Sequence, residues 1–232
     1  MKLAVLFSGG KDSYLSFQYA FRDHEISCLL TLYPEREDSW MFHTPAIEWT
    51  KLQAEALGIH HLTSKTSGVK EKELEDLYLL INSAISEYSI EGVVTGTLAS
   101  VYQATRIQRI CNRLNLWCFN PLWQMPQNLL LDELLANNIE SIITGVAAEP
   151  LDETWLGRHI DSESVKELVA LESTYAINPA GEGGEIESFV LDAPLFKRSI
   201  RILESTKHYS NFSGRLQIKE EGWNEQSSDI HL

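Results

Sequence analysis

Basic residues are scarce in this chain: 19 lysines and arginines stand against 33 aspartates and glutamates, a formal net charge of −14. Nucleic-acid binders draw much of their affinity from neutralising phosphates, so this balance favours a small-molecule or protein substrate over RNA, a local patch around Arg106, Arg109 and Arg113 notwithstanding. Cysteine is sparse too. Cys28, Cys111 and Cys118 lie far apart with no Cys-x-x-Cys pair. That argues against a metal or disulfide framework and for reduced thiols packed as small hydrophobes. No run approaches the ~18 apolar residues that a membrane-spanning helix needs. The opening lysine and apolar stretch, Met1 to Phe7, is cut at Ser8-Gly9-Gly10-Lys11-Asp12, too early for an export signal. The expectation is a cytoplasmic protein engaging neither a membrane nor, directly, a nucleic acid. What the chain does have is core-forming material: 44% of its 232 residues are hydrophobic and 22% charged, which suits one large globular domain or two small ones.

The first half alternates short apolar runs with amphipathic ones. Residues 2–7, 26–32, 59–62, 92–96 and 116–119 read as strands, and 13–22, 71–88 and 102–114 as helices. A further helix opens at Thr44-Pro45 and closes at Gly58. Such alternation implies a parallel sheet covered by helices on both faces. Pro121-Leu122-Trp123 breaks the rhythm. Residues 127–137 and 165–172 then read as helices, and 141–147, 185–191, 198–204 and 214–219 as strands. The expected architecture is α/β: a doubly wound parallel sheet over residues 1–122, then a smaller mixed α+β domain over 123–232. The polar end, from about Trp223, is expected to fray.

The first strand runs directly into Ser8-Gly9-Gly10-Lys11-Asp12-Ser13 and then a helix. In open α/β sheets, ligands bind at the carboxyl ends of strands, where this turn sits. Paired glycines let several N–H groups face one oxyanion, and the following helix adds its own N–H groups and dipole. Ser8 and Ser13 supply hydroxyl donors and Lys11 a point charge. Asp12 makes sense beside phosphate once Mg²⁺ is included, because a carboxylate can hold the ion that bridges phosphate oxygens. The pattern is not the Gly-x-x-x-x-Gly-Lys-Ser/Thr loop. A glycine turn with a good helix start is the bland alternative, and six specific residues at the exit of the first strand weigh against it.

Ser-Gly-Gly-x-Asp-Ser after an N-terminal strand resembles the loop of the PP-loop, or N-type, ATP pyrophosphatases, whose sheet is Rossmann-like (HUP-type). Three more stretches sharpen the likeness: Ser39-Trp40-Met41-Phe42-His43-Thr44-Pro45; Thr95-Gly96-Thr97-Leu98-Ala99-Ser100 with Tyr102-Gln103-x-x-Arg106; and Gly181-Glu182-Gly183-Gly184-Glu185-Ile186-Glu187-Ser188 leading into Val190-Leu191-Asp192-Ala193-Pro194-Leu195-Phe196. Together they resemble the diphthine–ammonia ligase family over nearly the whole chain. Ile186, where an aromatic is expected, and Ser188, where threonine is common, depart mildly from its pattern. The resemblance implies an ATP-dependent ligase that joins ammonium to the diphthine carboxylate on translation elongation factor 2. The route is an acyl-adenylate, and the products are diphthamide, AMP and pyrophosphate.

On that reading Ser8, Gly9, Gly10, Lys11, Asp12 and Ser13 hold the nucleotide with Mg²⁺ on Asp12, and Lys11 and Asp12 take part in catalysis. Thr31, His43, Gly96, Gln103 and Arg106 are further nucleotide neighbours, against the bland readings of His43 as a polar loop residue and Arg106 as a solvated helix charge. Glu182, Glu185 and Glu187 are expected to bind the trimethylammonium group of diphthine or to orient ammonium. A solvated edge strand is the alternative there. Glu185 and Glu187 would share a strand face with Phe189 and Leu191. Met1 is followed by Lys2 rather than a nucleophilic cysteine, so free ammonium is the expected nitrogen donor. A homodimer is compatible with an acidic chain of this size. The competing readings are a PP-loop tRNA-modifying enzyme and a non-catalytic ATP- or AMP-binding protein.

Overall fold

The computed structural model describes residues 1–34, 46–68 and 72–223, which divide into two compact units. The first comprises residues 1–54 and 59–125, the second 55–58 and 126–232. The Ser39–Pro45 stretch, with His43 and the Thr44-Pro45 helix start, lies outside the described residues.

In the first unit, β1 (Lys2–Leu6), β2 (Glu25–Pro34), β3 (His60–Thr66), β4 (Gly92–Val94) and β5 (Trp117–Phe119) form one sheet, ordered β3-β2-β1-β4-β5. All four pairings are parallel. β1 is central, and Leu3, Ala4 and Val5 are fully buried, as a strand covered on both faces requires. Helix α1 (Lys11–Asp23) lies against β1, β2 and β4, presenting buried Tyr14, Leu15 and Phe17. Helix α2 (Thr50–Leu57) follows a 3₁₀ turn over Ile47–Trp49 and ends at Gly58, whose φ of +68° suits glycine. Helices α3 (Lys72–Tyr88) and α4 (Val101–Arg113) pack Leu77, Leu80, Ile81, Ile107 and Ile110 into one core with Ala4, Leu30 and Val93. Cys28 and Cys111 are buried in that core and Cys118 packs against it, all three as free thiols. Burial pushes the Cys28 thiol up to about 12.

The chain proceeds from β1 outward to β2 and β3, then crosses back to β4 on the other side of β1. The loops leaving β1 and β4 therefore flank a topological switch point, where open sheets bind ligands.

In the second unit, α5 (Gln127–Ala136) packs on α6 (Ser162–Tyr175). Strands β6 (Glu140–Ala147), β7 (Ile186–Asp192), β8 (Ile200–Ser210) and β9 (Ser213–Trp223) form an antiparallel sheet ordered β7-β6-β9-β8. Four elements differ from the sequence reading. Helix α6 runs 14 residues rather than the eight of 165–172, because Asp161 caps it: its carboxylate accepts from Glu163 N and Ser164 N while Ser164 Oγ accepts from Asp161 N. The last two strands are 11 residues each, β9 closing at Trp223, and the polar end expected to fray beyond it lies outside the described residues. Their hairpin turns on Asn211 and Phe212, at φ +50° and +60°, a mirror-image turn usually signalled by Asn-Gly. Finally, β7 begins at Ile186, so Glu185 belongs to the preceding turn and only Glu187, Phe189 and Leu191 share the expected strand face.

Candidate active site

Beyond β1 the chain makes one more sheet contact, Phe7 N donating to Leu30 O at 2.8 Å, before turning away at Ser8. Gly9 has a φ of +81°, in the left-handed region that favours glycine. Gly10 is the extended N-cap of α1, and no side chain caps that helix start. The loop is tied to itself: Ser13 Oγ donates to Gly10 O (2.9 Å), Ser8 Oγ lies 3.2 Å from Ser13 Oγ, and Gly10 N approaches Ser8 Oγ at 3.5 Å. Two serine hydroxyls, the Gly10 N–H and the dipole of a 13-residue helix thus gather on one turn, an arrangement suited to an anion.

Lys11 is only 2% exposed, and its ammonium lies 2.9 and 3.1 Å from the two carboxylate oxygens of Asp12. Positive and negative charge therefore meet at the helix start, the cation buried and the Asp12 side chain 36% exposed. Among the described residues no three His, Cys, Asp or Glu side chains gather as a metal-ligand set. A divalent ion here would share its oxygen ligands between Asp12 and phosphates, the manner in which Mg²⁺ is usually held, and Asp12 fits that part.

The loop is backed by residues from three other elements. Gln53 of α2, fully buried, donates Nε2 to the Gly9 carbonyl at 2.9 Å. Thr31 is 1% exposed and donates to Phe7 O at 2.6 Å, while His61 Nε2 lies 2.8 Å from its oxygen. Since the Thr31 proton goes to Phe7, Nε2 must carry the imidazole proton. Burial lowers the His61 pKa to about 4, so the ring is neutral at pH 7. The Thr31 side chain thus braces the strand end from within. Gly96, expected near the nucleotide, abuts the loop from β4: a Cβ there would meet Ser13 N at 2.8 Å and Asp12 C at 2.9 Å. Thr95 Oγ1 lies 2.8 Å from Thr97 Oγ1 and 2.7 Å from Asn120 Oδ1, which fixes this turn.

Ser100 caps α4 by accepting from Gln103 N at 3.3 Å. Arg106 stacks on Tyr102, 3.5 Å from the ring centroid, and donates to Tyr102 O at 3.4 Å. It is held along the helix rather than loose in solvent.

In the second unit, Gly181-Glu182-Gly183-Gly184-Glu185 forms a tight turn. Glu185 Oε1 accepts from Asn178 N (3.1 Å) and Nδ2 (2.6 Å), and Oε2 from Gly183 N (2.8 Å). Asn178 Oδ1 in turn accepts from Gln127 Nε2 at 2.7 Å, and Gln127 Oε1 accepts from Ala180 N at 3.0 Å. Gly181 has a φ of +77°, and a Cβ there would meet Ile186 O at 2.5 Å. The Glu185 carboxylate is thus a structural acceptor inside its own turn, flanked by half-buried Glu182 and Glu187. Gln53, Gln127 and Asn178 carry no motif signal. Only Asn178, three residues before Gly181, sits close enough to a glycine turn to suggest a bracing role.

Comparison with known proteins matches two family models: the diphthamide synthase N-terminal domain over residues 1–117 and the diphthamide synthase C-terminal domain over residues 126–222. Several proteins named diphthine–ammonia ligase are similar along most of their length. The Bos taurus protein is 37% identical over 227 residues, covering 89% of this chain and 84% of its own. The Rattus norvegicus protein is 38% identical over 220 residues, covering 86% and 82%. The Homo sapiens protein is 37% identical, again covering 89% and 84%. A solved structure described as a predicted subunit of a tRNA methyltransferase from Methanocaldococcus jannaschii is 17% identical, covering 84% of this chain and 98% of its own, with a TM-score of 0.43; so loose a likeness supports no conclusion. With both of its domains matched and such relatives along its length, the chain belongs to the diphthamide synthase family.

Proposed function

We infer that this chain is a diphthine–ammonia ligase: it uses ATP to convert the diphthine carboxylate of a protein substrate into the amide of diphthamide. The observation that carries the ATP chemistry is the Ser8–Ser13 turn at the switch point, built for an anion and followed by a helix N-terminus. The family supplies the acceptor.

A carboxylate is a poor electrophile and must be activated first. One oxygen of the diphthine carboxylate attacks the α-phosphorus of ATP, forming the mixed anhydride as the bond to the β-phosphate oxygen breaks and pyrophosphate leaves. Charge accumulates on that leaving group, and the Gly10 N–H and the α1 dipole stabilise it where it forms, joined by the Ser8 and Ser13 hydroxyls as they turn from their hydrogen bonds within the loop. Mg²⁺ held by Asp12 would supply further neutralisation of phosphate charge. Asp12 would hold that ion, and the Lys11 ammonium, 2.9 Å from its carboxylate, brings positive charge to the same helix start. Ammonia then attacks the acyl carbon, AMP departs with the bonding pair, and the nitrogen loses a proton. In this reading residues 1–122 bind ATP, with Thr31, His43, Gly96, Gln103 and Arg106 around the nucleotide, and residues 123–232 receive the substrate. Glu182 and Glu187 face the cationic trimethylammonium group, while Glu185 shapes the turn that presents them. The protein substrate is translation elongation factor 2 and the nitrogen donor free ammonium.

The test is a reconstituted assay with ATP, ammonium and diphthine-bearing elongation factor 2. One AMP and one pyrophosphate per amide formed are expected. ATP cleavage to ADP, or no AMP despite correctly modified substrate, would overturn the reading.

A further inference from the structure

A planar peptide points its carbonyl and its following N–H in opposite directions. Glycine on either side leaves such a peptide free to flip, because neither residue restricts its backbone. The Gly9–Gly10 peptide is of this kind, yet the structure locks it. Its carbonyl is turned towards α2, where Gln53 Nε2 donates to it at 2.9 Å. Its N–H consequently faces the other way, to the side on which Ser8 Oγ lies at 3.5 Å. Gln53 can meet a carbonyl only through its amide nitrogen, so chemistry fixes the orientation of the carboxamide. The fit leaves no slack: a Cβ on Gly9 would stand 2.4 Å from Gln53 Oε1 and 3.1 Å from Thr50 Cγ2. Helix α2 is itself anchored at that end, since buried Thr50 donates to Ile47 O at 2.8 Å and its oxygen lies 3.2 Å from Tyr33 OH.

We propose that Gln53 is a positioning residue for the phosphate loop, holding the Gly9 carbonyl so that the Gly10 N–H is presented to pyrophosphate. This rests on the phosphate-binding reading of the loop. Without the amide donor, the peptide can flip and put a carbonyl oxygen where the anion binds.

Two variants of the full chain test it. Gln53→Met keeps the volume and removes the donor. It should melt as a folded protein, weaken pyrophosphate binding and raise the KM for ATP about tenfold, the scale of one buried unpaired group. The KM for ammonium should not change. Gln53→Glu keeps the shape but can donate only when protonated. Its pyrophosphate affinity, divided by that of the wild type, should rise from about pH 8 to about pH 5 as the buried carboxyl takes up its proton. Should Gln53→Met fail to fold, this pH series decides alone. Wild-type pyrophosphate affinity in Gln53→Met, a parallel rise in its ammonium KM, or a flat pH series in Gln53→Glu would each overturn the proposal. A wild-type chain that binds neither pyrophosphate nor ATP would sink the phosphate-loop reading and this proposal with it.

Discussion

A single methyl group added at position 96 would press on the first turn of α1 through the backbone of Asp12 and Ser13, neither of which can swing aside. Gly96→Ala is therefore expected to lose about 1–3 kcal/mol of stability to overpacking. It should also raise the KM for ATP roughly 10- to 100-fold by displacing the phosphate loop. Melting curves and initial rates on the same preparation check both. At His61, burial holds the pKa near 4, against about 6.5 for a solvated ring. Between those values the unfolded chain takes up a proton that the folded ring refuses. Stability should accordingly fall as pH drops through that window, by about 3 kcal/mol at most. Urea unfolding at about pH 7 and pH 4.5 should show this loss in the wild type and a smaller one in His61→Gln. At this scale the sequence disclosed the letters of the loop but not its bracing. Gln53 is one glutamine on a short helix, and nothing in a local pattern says that its amide reaches a carbonyl 44 positions away. The burial of Lys11 was equally hidden, since a lysine at a helix start ordinarily points into water.

Among the elements, the glycine turn before β7 behaves as a unit because one carboxylate gathers three N–H groups. In Glu185→Gln one oxygen becomes an NH₂ that must face a donor, leaving that donor unsatisfied. The turn should loosen by about 1–3 kcal/mol. Amide formation should slow at least about tenfold while the KM for ATP stays within about twofold, since the change is confined to the second unit. Hydrogen exchange at Gly183 and Asn178, read beside the two kinetic parameters, tests this. Equal exchange and equal ligation rates would remove the role of the turn. The glycine–glutamate pattern was legible, but not the direction of its hydrogen bonds. Asn178 and Gln127 complete the frame without any spacing that marks them. The β8–β9 hairpin was read short for a similar reason. Asn211-Phe212 supplies the left-handed turn without a glycine, and exposed charges along both strands blur the period-two alternation.

For the whole molecule, alternating strand and helix patterns gave the parallel sheet from sequence alone, because a strand covered on both faces needs a continuous apolar run. The order β3-β2-β1-β4-β5 did not follow from those patterns, since pairing partners are set by packing between distant segments. The net charge of −14 bears on partners at this scale. Filter binding at physiological salt should show no saturable capture of tRNA, because a chain with so few cations neutralises few phosphates and gains little from counterion release. Tight, salt-sensitive capture would revive the RNA-modifying alternative.

The turn proposed to bind the nucleotide precedes its braces in the chain, which arrive with α2 and β4. During synthesis, then, a nascent chain already displays the whole signature while still unable to hold a phosphate. Affinity for ATP should switch on only once the ribosome has released residues past Gly96. A short fragment or graft carrying the signature alone would be spelled correctly and remain inert.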